Sequence, residues 1–435
     1  MPDGTTWRNW AGNQTASPRR VVTPGSTEEV AEAVRQAGEQ GLTVRMAGSG
    51  HSFTPAAVTD GVLLRPDRLT RLRNEERASN LVTVEAGCRL QDLNEGLLAR
   101  GLALANLGDI QEQTVAGAIQ TGTHGTGRDT GGIAAQVAGL ELVLADGTTT
   151  ACSADSGRRE LFDAARVGLG ALGVVSAVTF RVVPAFLLEA REEPMRWSEV
   201  IGRLDELTSA NEHFEFYWFP HTEGCLTKRN NRSDGPARPL TRMRYLIDDE
   251  FLSNTVFGAT CRLGHAVPAV IGPVNAVASR ALGSRCYVDA AYRVFTSPRR
   301  VRFKEEEYAI PRESLAEVLA EVRALFARRD WRISFPVEVR VTPGDDPWLS
   351  TAYGRDSAYI AIHVYHASPH QEYFRDVEAV MVAAGGRPHW GKMHTRRAEY
   401  LRRAYPRYAD FVALRDELDP ERRFGNAYLT QVLGP

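Results

Sequence analysis

The residues with the clearest chemical potential lie in one short turn, Gly48 to Ser52, within the stretch VRMAGSGHSFTP at 44–55. Small side chains there let the backbone approach a ligand closely and direct several N–H groups at an anion. Val44 and Met46 are typical of the end of a strand, so the turn follows a strand. His51 is open to three interpretations: a hydrogen-bonding neighbour of the ligand, a core histidine, or a nucleophile that attaches a cofactor covalently. Sequence chemistry alone favours the core histidine.

A second glycine-rich stretch runs from Ala105 to Gly127, ANLGDIQEQTVAGAIQTGTHGTG. Apolar residues are interleaved with its glycines, so the stretch is not a flexible linker and its backbone must lie near something. Val115 to Gln120 is predicted to form a short helix, with Thr114 as N-cap and its N-terminus directed at a bound ligand. The residues that follow offer hydroxyls and an imidazole beside bare backbone: Thr121, Thr123, His124 and Thr126.

Two strands in the C-terminal half carry polar residues on one face. In Ile333 to Val341 the period of two places Glu338 and Arg340 together, opposite the apolar residues. In Ala358 to Tyr365 the same alternation leaves His363 on a face that could border a ligand cavity. A solvated ion pair is the ordinary interpretation of Glu338 and Arg340. For His363, a satisfied histidine in the sheet is as well supported as a substrate contact.

Lys392 lies in the loop RPHWGKMH at 387–394, which contains an indole, two histidines and a lysine. Such a loop is more often functional than a core element is. A metal site formed by His363, His366 and His370 is a competing hypothesis. However, the first two point to opposite faces of a strand and a proline interrupts the segment that follows, so no metal site is predicted.

A βαβ unit leads into the first turn. A short strand at Arg20 to Val22 is followed by a helix that Ser26 caps and Gly41 ends, and then by a strand at Leu42 to Met46. The sequence GLGALG at 168–173 matches a Rossmann phosphate motif, but it lies between a helix and a strand, the reverse of the order that motif requires. A tight helix-to-strand junction is predicted there instead.

Size and composition limit the class of protein. A chain of 435 residues is expected to form two domains, with a boundary near residue 184, where aromatic and charged residues replace glycines. The formal net charge of -2 gives no electrostatic footprint for nucleic acid. Five scattered cysteines indicate neither a zinc site nor a disulfide framework. With no secretion signal and no apolar run long enough for a membrane span, a cytoplasmic protein is expected.

The motifs together carry a resemblance to a known family. GSGHSF, TVAGAIQTGTHGTG and LGALGVVSAVTF resemble the flavin-binding domain of the vanillyl-alcohol oxidase flavoprotein superfamily. HWGK at 389–392 and VEVR at 337–340 are similar to its aldonolactone oxidoreductase branch, which contains L-gulono-1,4-lactone oxidases and dehydrogenases, D-arabinono-1,4-lactone oxidases and alditol oxidases. The resemblance covers nearly the whole chain.

The resemblance implies an α+β fold with a PCMH-type FAD-binding domain at 1–183. A substrate cap domain, built on an antiparallel sheet, would occupy 184–420, and a tail at 421–435 would return to the FAD domain. The turn would wrap the FAD pyrophosphate, His51 would be joined covalently to the flavin 8α-methyl group, and Val174 and Val175 would contact the adenosine end. The other implied cofactor contacts lie on the turn and along the isoalloxazine and ribityl chain: Gly48, Ser49, Gly50, Ser52, Thr114, Gly117, Ile119, Gly122, Thr123, His124 and Gly125.

The implied reaction is oxidation of L-gulono-1,4-lactone or a close aldonolactone by hydride transfer to flavin N5, with an ascorbate-type product. Glu338, Arg340 and Lys392 would be catalytic, and Thr114 and His363 would join them in binding substrate. Oxygen or another electron acceptor would reoxidise the flavin. An alditol oxidase acting on a polyol such as xylitol or sorbitol is the first alternative, and a noncatalytic flavin-binding or ligand-sensing protein is the second.

Overall fold

The computed structural model describes residues 6–76 and 78–435 of the chain. Residues 1–5 and Arg77, which fall within the predicted FAD domain at 1–183, lie outside the described residues. Among the described helices, none combines the length and apolar character needed to cross a lipid bilayer.

The N-terminal half is built on two principal sheets. The sheet β3-β5-β4 is parallel, and the sheet β10-β9-β11-β7-β6 is antiparallel. The first helix begins where predicted, because the Ser26 side chain accepts a hydrogen bond from the Glu29 N–H. The strands are β1 Trp7–Arg8, β2 Thr15–Ala16, β3 Arg20–Val22, β4 Val44–Met46, β5 Val62–Leu64, β6 Leu72–Glu76, β7 Leu81–Glu85, β8 Leu102–Ala103, β9 Val137–Val143, β10 Thr149–Ser153, β11 Val174–Arg181 and β12 Val183–Pro184; the helices are α1 Thr27–Glu39, α2 Leu90–Leu98, α3 Val115–Gln120 and α4 Arg159–Ala165.

The C-terminal half is organised around one antiparallel sheet in the order β16-β13-β15-β14-β18-β19-β17-β20. The predicted antiparallel sheet with flanking helices is therefore confirmed. Its strands are β13 Leu187–Arg196, β14 His213–Trp218, β15 Gly224–Ser233, β16 Arg285–Ala290, β17 Phe303–Pro311, β18 Val337–Thr342, β19 Ser357–Tyr365 and β20 Arg387–Pro388. The α-helices are α5 Trp197–Gly202, α6 Leu204–Ser209, α7 Arg242–Tyr245, α8 Phe257–Ala266, α9 Ile271–Ala281, α10 Ala291–Phe295, α11 Leu315–Arg328, α12 Gln371–Ala383, α13 Ala398–Ala404, α14 Tyr408–Leu418 and α15 Ala427–Leu433, and a π-helix spans Leu246–Val256.

The two faces of this sheet differ in chemistry. One face packs against α11 and α12 in a hydrophobic core that includes Val337, Val339 and Ile360. The alternation predicted for β18 and β19 is thus present, but β18 begins at Val337 and not at Ile333. Phe335 precedes the strand and turns away from that core, with its ring 4.8 Å from the ring of Phe257 between centroids.

The C-terminal residues pack against the N-terminal half. The Val44 N–H donates to the Arg423 carbonyl at 2.7 Å, and Nδ2 of Asn426 donates to the carbonyls of Pro55 at 3.0 Å and Val58 at 2.9 Å. Helices α13, α14 and α15 also share a hydrophobic core with α2, α3 and α4. These contacts hold residues 423–426 against β4 and the segment that follows it, while the division at residues 184 and 421 stays a prediction.

Candidate active site

A cleft opens beside the end of β4. It is bordered by the Gly48–Ser52 turn, the N-terminal end of α3, and the junction between α4 and β11. At that junction Gly170 and Gly173 line the cleft together with Val174 and Val175. The glycines at 168–173 therefore connect a helix to a strand, as predicted, and form one wall of the cleft.

At Gly48 the turn approaches the N-cap of α3 so closely that no side chain fits at that position. A Cβ atom at Gly48 would lie 2.1 Å from Oγ1 of Thr114. Gly50 has a φ of +73°, in the left-handed region that favours glycine. Within the described part of the chain, the backbone N–H groups of residues 48–52 have no acceptor in the protein. These donors are free to bind an anion, so the turn fits the pyrophosphate of a dinucleotide cofactor.

Gly48→Ala is expected to remove most of the bound flavin, because the new Cβ must displace Thr114 and with it the N-terminus of α3. The flavin-to-protein absorbance ratio of the purified variant measures this loss. Gly202→Ala is the matched control, since nothing lies within 4 Å of a Cβ atom at that position. Full flavin content in Gly48→Ala would show that the close approach is not needed for cofactor binding.

His51 lines the cleft and is partly shielded by Trp10, whose ring stacks on the imidazole with centroids 5.5 Å apart. Burial, followed by the positive charges of Lys392 and Arg89, lowers the pKa of His51 to about 4. The imidazole is therefore neutral at pH 7 and keeps a lone pair. This placement favours a role toward the ligand over that of a core histidine.

Helix α3 spans Val115–Gln120, as predicted, and Thr114 caps it by accepting a hydrogen bond from the Gly117 N–H at 3.3 Å. Thr114, Gly117 and Thr121 recur at helical spacing and line the cleft. Ile119 does not, because its side chain is fully buried in the hydrophobic core on the other side of the helix. Ile119 therefore does not border the cleft, and its contact with the cofactor stays a prediction.

The residues after α3 leave the cleft and cross to the sheet of the C-terminal half. His124 stacks on Tyr359 of β19 with centroids 3.6 Å apart, and its Nε2 lies 3.4 Å from Oε1 of Glu307 on β17. Thr123 accepts a hydrogen bond from Nε2 of Gln113 at 3.1 Å. None of the predicted cofactor contacts in this segment borders the cleft: Gly122, Thr123, His124 and Gly125.

Arg45 organises the far end of the cleft and was not singled out from the sequence. It is buried and donates to the carbonyls of Ala56 at 2.8 Å, Leu169 at 2.6 Å and Phe424 at 2.6 Å. Three separate segments are thereby joined through one guanidinium. The sequence did not predict that Arg45 joins these segments, because a charged residue on a short strand usually faces solvent.

The polar face of the eight-stranded sheet brings Glu338 and Arg340 together, as predicted. Both are more than nine-tenths buried, so the solvated ion pair is excluded. Nε of Arg340 donates to Glu215 of β14 at 2.9 Å, and Nη2 contacts Asp109 at 2.8 Å as well as Glu338. Arg340 is therefore held by three carboxylates from three different segments.

Glu338 is the least compensated of these carboxylates. Burial raises its pKa to about 7; Arg340 opposes the shift, whereas the negative charges of Asp109 and Glu215 add to it. Oε1 of Glu338 contacts Arg340 and accepts from the Tyr217 hydroxyl at 3.2 Å. Its Oε2, and Nη1 of Arg340, have no partner among the described residues, which leaves an acceptor and a donor for a ligand.

Lys392 reaches this face from the loop after β20. The loop is fastened to the first turn, since the Phe53 N–H donates to the Gly391 carbonyl at 2.7 Å and Oγ1 of Thr54 to the Trp390 carbonyl at 3.0 Å. Nζ of Lys392 pairs with Oε2 of Glu305 on β17. Lys392 thus links the loop beside the first turn to the polar face of the sheet.

Glu305 connects Lys392 to His363. Burial alone would raise the pKa of Glu305, but the ion pair with Lys392 and then the interaction with His363 hold the pKa at about 2. Nε2 of His363 lies 3.4 Å from Oε1 of Glu305, while its Nδ1 is buried without a hydrogen-bond partner. Nδ1 of His370 instead lies 3.4 Å from Nζ of Lys304, so the structure does not bring the histidines of the competing metal hypothesis together around one point.

Several charged residues of this face were missed by sequence reasoning. They lie on β14, β15 and β17, or in the second glycine-rich stretch. The available signal was a charged residue inside an apolar strand, as in HFEFYW at 213–218 and KEEEYA at 304–309. The missed residues are Asp109, Glu215, Lys228, Glu305 and Glu307.

Known proteins resemble this chain over nearly its whole length. The family model described as D-arabinono-1,4-lactone oxidase matches residues 178–432, and the model described as FAD binding domain matches residues 18–153. The chain is 42% identical to L-gulono-1,4-lactone dehydrogenase of Mycobacterium tuberculosis, covering 99% of each chain. It is 35% identical to L-gulonolactone oxidase of Bos taurus, over 99% of this chain and 98% of the relative, and 32% identical to alditol oxidase of a Streptomyces species, over 98% of each.

A solved structure shares the fold. Cholesterol oxidase from Brevibacterium sterolicum superposes with a TM-score of 0.84 at 18% identity, covering 99% of this chain and 97% of that chain. The expected FAD-binding fold with a cap on an antiparallel sheet is confirmed. A family model that spans most of the C-terminal half and relatives aligned end to end lead to one conclusion: the chain belongs to the D-arabinono-1,4-lactone oxidase family of FAD-binding proteins.

Proposed function

We propose that the protein is an FAD-dependent oxidoreductase that oxidises L-gulono-1,4-lactone, or a close aldonolactone, at C2 to an ascorbate-type product. The observation that carries the proposal is the polar face of the sheet, where Glu338, Arg340 and Lys392 keep hydrogen-bonding capacity beyond their protein partners. A lactone offers hydroxyl donors for the carboxylate and a carbonyl acceptor for the two cations. The relatives named as gulonolactone and arabinonolactone enzymes support the same substrate class.

Bound FAD would accept the hydride from the carbon that is oxidised. Glu338 would orient the reacting hydroxyl and accept its proton, because a carboxylate with a pKa near 7 suits proton transfer at neutral pH. Arg340 and Lys392 would bind the lactone carbonyl and stabilise the negative charge that the neighbouring C2 oxygen carries as Glu338 takes its proton. Thr114 and His363 would complete the substrate contacts, the latter through its unpartnered Nδ1.

The cofactor site is proposed for the cleft beside β4. Residues 48–52 would hold the pyrophosphate, Thr114 and Gly117 the flavin end, and Val174 with Val175 the adenosine end. In this assignment residues 1–183 form the FAD domain, 184–420 the cap, and 421–435 a tail that closes on the FAD domain. Oxygen or another acceptor would reoxidise the flavin, and the protein would act in the cytoplasm.

His51 is proposed to carry the flavin covalently, because its neutral imidazole lines the cleft. The protein is then expected to keep its yellow colour in the pellet after acid precipitation, whereas His51→Ala should release the colour to the supernatant. Absorbance of both fractions near the flavin band measures the partition. His265→Ala, at an exposed histidine, should behave like the parent. Free flavin in the parent supernatant would exclude the covalent bond.

Anaerobic mixing with a panel of aldonolactones and alditols tests the reaction. We expect bleaching of the oxidised-flavin absorbance with L-gulono-1,4-lactone, and a higher kcat/KM for lactones than for xylitol or sorbitol. A polyol that exceeds every lactone would favour the alditol oxidase alternative, which the Streptomyces relative makes the second candidate. No bleaching with any compound would favour a noncatalytic flavin protein.

A further inference from the structure

The exposed large apolar side chains of the described residues are all in one segment. Those more than about one third exposed occur only between positions 243 and 277, and they range from 37% exposed at Val256 to 68% at Met243. Scattered single apolar residues at a surface need no explanation, whereas many large exposed ones in one segment indicate an interaction site. The side chains are Met243, Tyr245, Leu246, Ile247, Phe251, Leu252, Val256, Leu263, Val267 and Val277.

The segment that carries them, residues 242–285, is called here the helical excursion. It contains α7, the π-helix, α8 and α9, and it is attached to the rest of the protein by specific buried contacts. Nδ2 of Asn254 donates to the Pro298 carbonyl at 3.1 Å, and Nδ2 of Asn275 donates to the Ile333 carbonyl at 2.9 Å. These contacts and buried residues such as Cys261 attach the excursion to the rest of the protein. Its exposed apolar side chains take no part in this attachment and can contact a partner.

The charges of the helical excursion favour an anionic partner. Its five arginines and three acidic residues give it a net charge of +2. The whole chain has a formal net charge of -2, so the residues outside the excursion carry -4. Each acidic residue is already paired with an arginine: Asp248 with Arg244, Asp249 with Arg285, and Glu250 with Arg300. Three exposed arginines of the excursion have no acidic partner among the described residues: Arg242, Arg262 and Arg280.

We propose that the helical excursion docks the protein onto an anionic lipid bilayer surface. Its exposed apolar side chains would enter the boundary between headgroups and acyl chains, and its unpaired arginines would bind lipid phosphates. Peripheral docking of this kind needs no spanning helix. A second copy of the chain is a poorer occupant, because two such faces would bring the arginines of one against those of the other.

Docking would also place the active site near the lipid surface. Phe257 of the excursion belongs to the aromatic cluster that contains Phe53, the residue directly after Ser52, and Phe303. The excursion thus packs against the cluster that contains the residue after the first turn. This inference goes beyond the proposed reaction and does not depend on the identity of the substrate.

Vesicle flotation with the purified flavin-loaded protein tests the docking. We expect the protein to float with phosphatidylcholine vesicles that contain about one third phosphatidylglycerol, to float at least about tenfold less with pure phosphatidylcholine, and to detach as salt is raised. The combined variant Ile247→Ser, Phe251→Ser, Leu252→Ser should lose binding, as should Arg242→Gln, Arg262→Gln, Arg280→Gln. Unchanged flavin content and thermal midpoint show that both variants are folded.

A matched charge control uses exposed arginines outside the excursion that likewise have no acidic partner among the described residues: Arg158→Gln, Arg181→Gln and Arg196→Gln. This variant should float like the parent. The proposal is overturned if the parent does not float, if neutral and anionic vesicles bind it equally, or if the control variant loses as much binding as the excursion variants. It is also overturned if light scattering shows a dimer of the parent that the serine variant converts to a monomer, since the surface then belongs to a second copy.

Discussion

Lys392→Met is expected to lower kcat by roughly a hundredfold or more while the flavin content stays that of the parent. The ammonium group of Lys392 stands at the junction of the first turn and the polar face of the sheet, where Glu305 holds it. Methionine keeps most of the side-chain volume and removes the charge. The flavin should remain, because its proposed contacts are backbone N–H groups and small residues of the cleft.

Lys304→Met is the matched control for this variant. Lys304 is the neighbour of Glu305 on β17, so its side chain points to the opposite face of the sheet, toward His370. Stopped-flow reduction with the best lactone of the panel gives the rate of flavin bleaching directly. If Lys392→Met reduces its flavin at the parental rate, Lys392 has no part in the transition state, whatever its effect on KM. Arg340→Ala is a less clean test, because it leaves three buried carboxylates without their shared cation.

The local part of the site was predictable from sequence. The period of two in β18 and β19 was sufficient to place Glu338, Arg340 and His363 on one face, since alternate residues of a strand point the same way. The cap at Thr114 and the length of α3 followed from equally local rules. Each of these features depends only on residues within about ten positions of one another.

The predicted cofactor contacts that do not border the cleft come from extending a motif across α3 and beyond it. Thr114 and Gly117 face the cleft, but Ile119 lies on the opposite side of α3, as the spacing of a helix requires. His124 lies beyond the helix, and it faces the sheet because β19 presents Tyr359 to it. The side of α3 on which Ile119 lies could have been predicted from the helical period, whereas the position of His124 depended on a contact more than two hundred positions away in the chain.

The charge network could not be predicted, because it depends on strand order. Glu215 reaches Arg340 since β14 pairs with β18, although 125 positions separate the two residues. Asp109 joins them from the N-terminal half and also pairs with Arg299. A sequence identifies each charge, but the sheet order β15-β14-β18-β19-β17 decides which charges meet.

This network makes Glu338 and Glu215 respond to pH in opposite directions. Burial raises the pKa of Glu338 to about 7, and nearby negative charges add to the shift. Burial also acts to raise the pKa of Glu215, but the charges of Lys228 and Arg340 outweigh it, so its pKa is lowered. A raised folded-state pKa means that the stability linked to Glu338 is fully present below its unfolded value and is lost as pH rises through 7. For Glu215 the stability is present at neutral pH and is lost as pH falls through its depressed pKa.

Glu338→Gln is therefore expected to abolish most turnover and yet to stabilise the protein at alkaline pH. The amide cannot accept the proton of the substrate hydroxyl, so kcat should fall about a hundredfold or more. The variant also removes a carboxylate whose ionisation, with a pKa raised from 4.5 to about 7, costs the folded state about 3 kcal/mol above pH 7. The thermal midpoint of Glu338→Gln should be higher than that of the parent at pH 8, and the two midpoints should converge near pH 4.5. Glu215→Gln is the control, because it leaves Lys228 and Arg340 with one partner fewer. This variant should be less stable than the parent at pH 8. Destabilisation of both variants at pH 8 would mean that Glu338 is a fully compensated ion-pair partner, and its proposed role as proton acceptor would then lose its basis.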